Sequence, residues 1–135
     1  MTVYVVVGLL SGVLFAVLDV VINANPVAQR LFAVYSPIAR DSINPVAGVA
    51  IDVLFGLIMA GAFLVLYDSL PGVNGVLKGV SFALLAWFFR VIMSAASQWM
   101  MFRVPTPTLL YSVVAGLGEM LALGLLYGVA LTPAA

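Results

Sequence analysis

The chain reads as an all-α integral membrane protein of four transmembrane helices, arranged as two tandem, pseudo-equivalent two-helix repeats. Three observations predict this. Of its 135 residues, 65% are hydrophobic and 7% charged, and the mean hydropathy is +1.27, which leaves too little polar surface to cover a water-soluble globule of this size. Four apolar runs each reach the length of about 20 residues that a helix needs to cross the hydrocarbon core. The second half of the chain also repeats the pattern of the first. A single transmembrane domain over residues 1–135 is therefore expected, in a multi-pass protein of the cell membrane, with the first apolar run retained as a span because no basic segment precedes it and no small-x-small cleavage site follows it.

Span one runs from about Val3 to Ala24 and is interrupted at Asn25-Pro26, since proline lacks an N–H and disfavours helix at the residue before it. The segment from Pro26 to Tyr35 fits either a continuation beyond a kink or a short interfacial helix. Ser36 to Asn44, with Pro37, Arg40 and Asp41, forms the first loop. Span two begins near Pro45, a favourable first-turn residue, and ends near Tyr67-Asp68. The short turn from Ser69 to Gly75 makes spans two and three antiparallel neighbours. Span three, about Val76 to Phe102, exceeds what a bilayer requires and so is tilted, kinked or extended into the interface. After Arg103-Val104-Pro105-Thr106-Pro107, span four covers Thr108 to about Leu131. Arg30, Arg40 and Arg103 near the first and third connections, against Lys78 and the N-terminal amine on the other side, favour both termini outside.

The repeat has an offset of 67 residues. It places Gly8, Leu10, Gly12, Val13, Phe15, Ala16 and Leu18 on Gly75, Leu77, Gly79, Val80, Phe82, Ala83 and Leu85. Over residues 8–64 there are 12 identities, where this composition gives about five or six by chance. Repeat one spans about 8–68 and repeat two about 75–131; two spans per unit make them parallel repeats about an axis along the membrane normal. The stripes Gly8, Gly12, Ala16 and Gly75, Gly79, Ala83 are the predicted helix-packing surfaces. They are expected either to bring spans one and three together near that axis or to form a seam with a second copy of the chain.

Polar residues share those faces. Asp19 and Asn23 lie seven and eleven residues beyond Gly12, and Arg90 lies eleven beyond Gly79, each near a whole number of helical turns. Ser94 and Ser97 continue the face of Arg90, and Asp52 and Glu119 occupy equivalent repeat positions. With alternating span directions, Asp19, Asn23, Asp52, Arg90 and Glu119 all fall in the half of the bilayer nearest the first and third connections. They are the predicted ligand- or ion-binding residues of a polar cavity open to one side. An arginine stays charged at any depth and must find carboxylates, carbonyls or water. It neutralises one acid, so the surplus acids are protonated, hydrated or holding a cation. Trp87, Trp99, Tyr67, Tyr111 and Tyr127 read as interfacial or packing aromatics.

The residue types also exclude chemistry. With no Cys and no His, disulfides, thiolate or imidazole metal sites and Ser–His dyads are absent. The iron-type carboxylate bundle also lacks its Glu-x-x-His pairs; whether the acids hold another metal stays open. No cofactor is predicted, and a formal net charge of zero offers nucleic acid no electrostatic footing. The expected partners are the lipid bilayer, a small cation or small solute, and a second copy of the chain. The leading function is binding or transport of a proton, small cation or small cationic solute. The alternatives are a non-catalytic subunit or scaffold whose ion pairs set helix register, and a membrane enzyme acting on a lipid or quinone, for which no nucleophile or metal motif is present.

The joint between the halves, Leu66-Tyr67, Leu70-Pro71-Gly72, Lys78-Gly79, Phe82 and Trp87, together with Tyr127-Gly128, resembles a group of small four-span prokaryotic integral membrane proteins of uncharacterised function. The resemblance implies the four-span fold and no activity. It also marks a departure, because histidine is common in that group where this chain has Asp52 and Glu119.

Overall fold

The computed structural model describes residues 2–39, 42 and 44–131; Arg40 and Asp41 of the expected first loop lie outside them. The described residues form six α-helices and no strand: α1 (Thr2–Ala24), α2 (Pro26–Leu31), α3 (Pro45–Leu66), α4 (Gly75–Trp87), α5 (Met93–Met101) and α6 (Thr106–Ala130). A 3-10 segment, Phe32–Ile38, follows α2, another, Tyr67–Ser69, extends α3, and a π-helical turn, Phe88–Ile92, joins α4 to α5. Four continuous helical stretches, Thr2–Ala24, Pro45–Ser69, Gly75–Met101 and Thr106–Ala130, are long and apolar enough to cross a membrane.

Each boundary has a local cause. Asn25 ends α1 and starts α2: its Oδ1 accepts from the Ala28 N–H at 2.8 Å, while its Nδ2 donates back to the Ile22 carbonyl at 2.8 Å. One side chain thus satisfies orphan groups on both sides of the break. Asn44 caps α3 by accepting from Val46 and Ala47, and Asn74 caps α4 by accepting from Leu77. Gly72, at φ 136°, takes the left-handed turn between the second and third spans that a side chain would disfavour. Lys78 then reaches back across this turn, donating to the carbonyls of Tyr67 at 2.7 Å and Leu70 at 2.9 Å. Its charge completes the C-terminal end of the second span, where carbonyl dipoles favour a cation.

The packing follows the glycine stripes, but not between spans one and three. α1 lies along α3, α4 lies along α6, and contact between α1 and α6 joins the two pairs. A Cβ on Gly12 would come within 2.5 Å of the Val53 Cα, and one on Gly56 within 2.5 Å of the Gly12 nitrogen. On the other side a Cβ on Gly79 would run into the Gly124 carbonyl, and one on Gly128 into that of Gly75. Each stripe therefore brings a helix against the second helix of its own half. The reason is that lipid offers no apolar penalty to either arrangement, so the closest backbone approach decides, and α3 and α6 carry the glycines that permit it.

The core lies toward the end opposite the first and third connections. Phe63, Phe82 and Tyr127 pack ring to ring, with centroids 5.5 Å apart for Phe63–Phe82 and 5.8 Å for Phe63–Tyr127, and Met120 and Leu123 are buried beside them. Tyr127 is fully buried and its hydroxyl lies 2.9 Å from Ser11 Oγ and 3.2 Å from the Gly56 carbonyl. Ser11 in turn donates to the Gly8 carbonyl at 2.8 Å. One buried polar network therefore ties α6 to both α1 and α3. At the other end, Thr108 Oγ1 donates to the Leu31 carbonyl at 2.7 Å, and Tyr111 donates to the Ile22 carbonyl at 2.6 Å. These bonds hold the segment from Pro26 to Ile38 across the start of α6 as a separate short element, not as a continuation of α1.

Candidate functional site

The long third span holds the centre of the site. Its α-helix gives way to a π-helical turn at Phe88–Ile92, with Arg90 inside it. A π-turn adds a residue per turn and so rotates everything beyond it by about 100° relative to an uninterrupted helix. Sequence spacing beyond Arg90 is correspondingly shifted: of the two serines expected on its face, Ser94 lines the cavity described below and Ser97 does not.

The Arg90 guanidinium reaches out of α4–α5 toward the first helix pair and lies against two rings, 5.0 Å from the Phe15 centroid and 5.1 Å from that of Phe55. The rings are themselves 4.7 Å apart. Aromatic faces attract a cation through their quadrupole, so Phe15 on α1 and Phe55 on α3 fix where the charge sits. Arg90 and Glu119 of α6 form an ion pair with Nη1 and Oε1 3.9 Å apart, the Glu119 side chain 7% exposed and the Arg90 side chain 39%. A hydrogen-bonded Arg–carboxylate pair would close to about 2.8 Å, so this pair is joined by charge attraction across a gap. Glu119 Oε2 is buried and has no hydrogen-bond partner.

That gap belongs to a cavity of about 310 Å³. Its inner end is formed by Arg90, Val91, Gly116 and Glu119; it extends past Asp19, Asn23, Ser94 and Ser112 toward Phe32, Gln98 and Leu109, near the helix ends at the first and third connections. Below Glu119 the bundle is closed by Met120, Leu123 and Tyr127. The cavity is therefore closed at that end.

The structure brings four of the five predicted binding residues to this wall: Asp19, Asn23, Arg90 and Glu119. Asp52 does not line it, though it stands beside Asp19 and within the field of Arg90, and Asp19 is close to Glu119 as well. Asn23 lines the cavity but spends its amide on its own helix, donating to the Asp19 carbonyl at 2.8 Å. Among the described residues no group of three or more acids is placed to hold a metal ion.

Several lining residues escape sequence reasoning. Ser112 is seven residues before Glu119, so helical spacing marks it, whereas Gln98 lies beyond the π-turn, where spacing from Arg90 no longer holds; neither carries charge to draw attention. Phe32 arrives from the interfacial segment, which nothing in its own pattern orients. Phe15 and Phe55 are unremarkable apolar positions until Arg90 is seen between them. Gln98 also meets a second element: Tyr35 donates to its Oε1 at 2.8 Å, and both residues line an adjoining groove with Phe102 and Arg103. The Tyr35–Gln98 bond thus stands between the cavity and that groove.

No protein-family model, no curated protein and no solved structure matches this chain. The fold and site define a helical membrane-protein class, and what the site does rests on its own chemistry.

Proposed function

We propose that the chain binds, and moves through part of the bilayer, a proton, small cation or small cationic solute, taken up in this cavity. The observation that carries this is Glu119: a buried carboxylate whose Oε2 has no donor among the described residues, with the Asp19 carboxyl beside it, on the wall of a polar cavity. A buried acceptor without a donor is costly, and a charge at this depth is retained where it has a ligand to exchange. Asp19 and Asp52 add negative charge that Arg90, held off by its aromatic clamp, does not match. Glu119 is the exchanging ligand, Asp19 and Asp52 bias the site toward cations, and Arg90 is the internal counter-charge. Both helix pairs use their glycine stripes alike, which supports the view of the bundle as two tandem hairpins.

Cation or proton flux into proteoliposomes containing wild type, Glu119→Gln or Asp52→Asn tests this. Both substitutions are expected to slow flux, Glu119→Gln the more. Equal flux in all three proteins removes the assignment.

A scaffold role has one observation of its own, the Arg90 clamp, which links the third span to α1 and α3. It predicts that the double change Arg90→Met with Glu119→Gln preserves both fold and cellular role, since apolar packing often replaces a buried pair without loss. The 3.9 Å separation and the open space beside it favour the binding role.

A further inference from the structure

The cavity is far larger than a proton or a bare metal ion requires, and that excess narrows what it takes. Its volume of about 310 Å³ lies at the lower end of small-molecule sites and is roughly ten times the share of one liquid water. Asp19 and Glu119 are on the wall and Asp19 stands beside both Glu119 and Asp52, yet among the described residues no three acids are placed around a metal.

Glu119 supplies the independent indication of a ligand. The residue is 6% exposed, lines the cavity and leaves Oε2 without a donor. Arg90 does not provide one, because the rings of Phe15 and Phe55 hold its guanidinium while the nearest approach to Glu119 is 3.9 Å, to the other oxygen. When all three acids are ionised, three carboxylates and one guanidinium leave an excess of two negative formal charges. A cation lowers that excess, a zwitterion leaves it unchanged and an anion raises it. The wall is also divided in character: Ser112 and Gln98 offer hydrogen-bonding groups, while Ile22, Phe32 and Leu109 offer carbon surface and an aromatic face. A metal ion has no use for the second set, whereas a cation with a carbon body has a use for both.

Resting on the reading of this cavity as a cation site, we infer that its occupant is a small organic cation bearing N–H donors, of the alkylammonium or guanidinium type. The cationic head donates to Glu119 Oε2 with Asp19 beside it, and the carbon body lies along Ile22, Phe32 and Leu109.

The test is calorimetric titration of the full chain in lipid nanodiscs at constant ionic strength, with propylammonium and guanidinium chloride set against sodium chloride, potassium chloride and glycine. The two organic cations are expected to bind saturably and at least about tenfold more tightly than the others. Glu119→Gln is expected to weaken them by about ten- to a hundredfold. Ala115→Leu, which fills the space while keeping every carboxylate, is expected to abolish their binding; Asp68→Asn, on the exposed turn after α3, leaves it unchanged. Thermal melting of each variant reports folding, and the comparison of probes on wild type needs no variant. Organic cations binding no better than sodium or glycine, or binding unaltered in Ala115→Leu, overturns the inference. If sodium, potassium or proton uptake depends on Glu119 while the organic cations fail to bind, this inference falls and the proposed function stands. Absence of any cation uptake that depends on Glu119 removes both.

Discussion

Two buried polar side chains on the same helix, Glu119 and Tyr127, eight residues apart on α6, end up in opposite circumstances. Tyr127 is surrounded by Phe63, Phe82 and Leu123 and its hydroxyl is matched by Ser11 and the Gly56 carbonyl. Glu119, about two turns earlier, has a cavity beside it and an oxygen with no partner. Burial alone therefore does not separate structural from functional groups in this bundle. Satisfaction does, because a polar group closed into a complete network holds helices together, while one left open in low dielectric is a standing cost that the fold does not itself offset.

The largest effect is expected where the sealed end depends on backbone contact. Gly79→Leu drives a side chain into the Gly124 carbonyl, separating α4 from α6. It should destabilise the protein by about 3 kcal/mol or more, read as a large fall in melting temperature in detergent; a variant that melts like wild type would show that the two helices do not meet there. Removing only the hydroxyl with Tyr127→Phe keeps the ring packing and loses one hydrogen-bonded group. A cost of about 0.6–1 kcal/mol follows, in line with interhelical bonds in membranes.

At the open end the expected stability changes are smaller. Tyr35→Phe removes the bond to Gln98 and should cost less than about 1 kcal/mol, while speeding entry of ligand from the adjoining groove, measurable as a faster association rate at nearly unchanged melting temperature. Glu119→Gln gives up the charge attraction to Arg90 across 3.9 Å but relieves the donorless Oε2, and should change stability by less than about 1 kcal/mol. A loss as large as that at Gly79 would make Glu119 a structural residue and erase the contrast with Tyr127.

The two ends also differ in how far they were legible beforehand. The open end was marked by ionisable residues: Arg90, Asp19 and Glu119 are so costly in hydrocarbon that their presence alone points to a shared interior. The sealed end carried no such mark. Tyr127 reads as one more interfacial or packing aromatic, and Ser11 draws no notice, until the helices are placed. Asp52 and Glu119, expected at equivalent positions, are placed differently: Glu119 lines the cavity, while Asp52 stands beside Asp19 and off the cavity wall. Nothing in the sequence marked the π-turn at Arg90.

What the sequence determined by itself is what depends on local transfer from water to hydrocarbon: the number of spans, their limits to within a few residues, the turns between them, and the end of the bundle that holds the charge. Tertiary structure alone decided which stripes meet, which aromatic residues clamp Arg90 and which polar groups are closed into a network. The physical reason is that lipid is as apolar as leucine, so a membrane helix is hydrophobic all round and its periodicity does not say which face turns inward. Only the fit of one backbone against another resolves that choice, and here it sets α1 on α3 and α4 on α6.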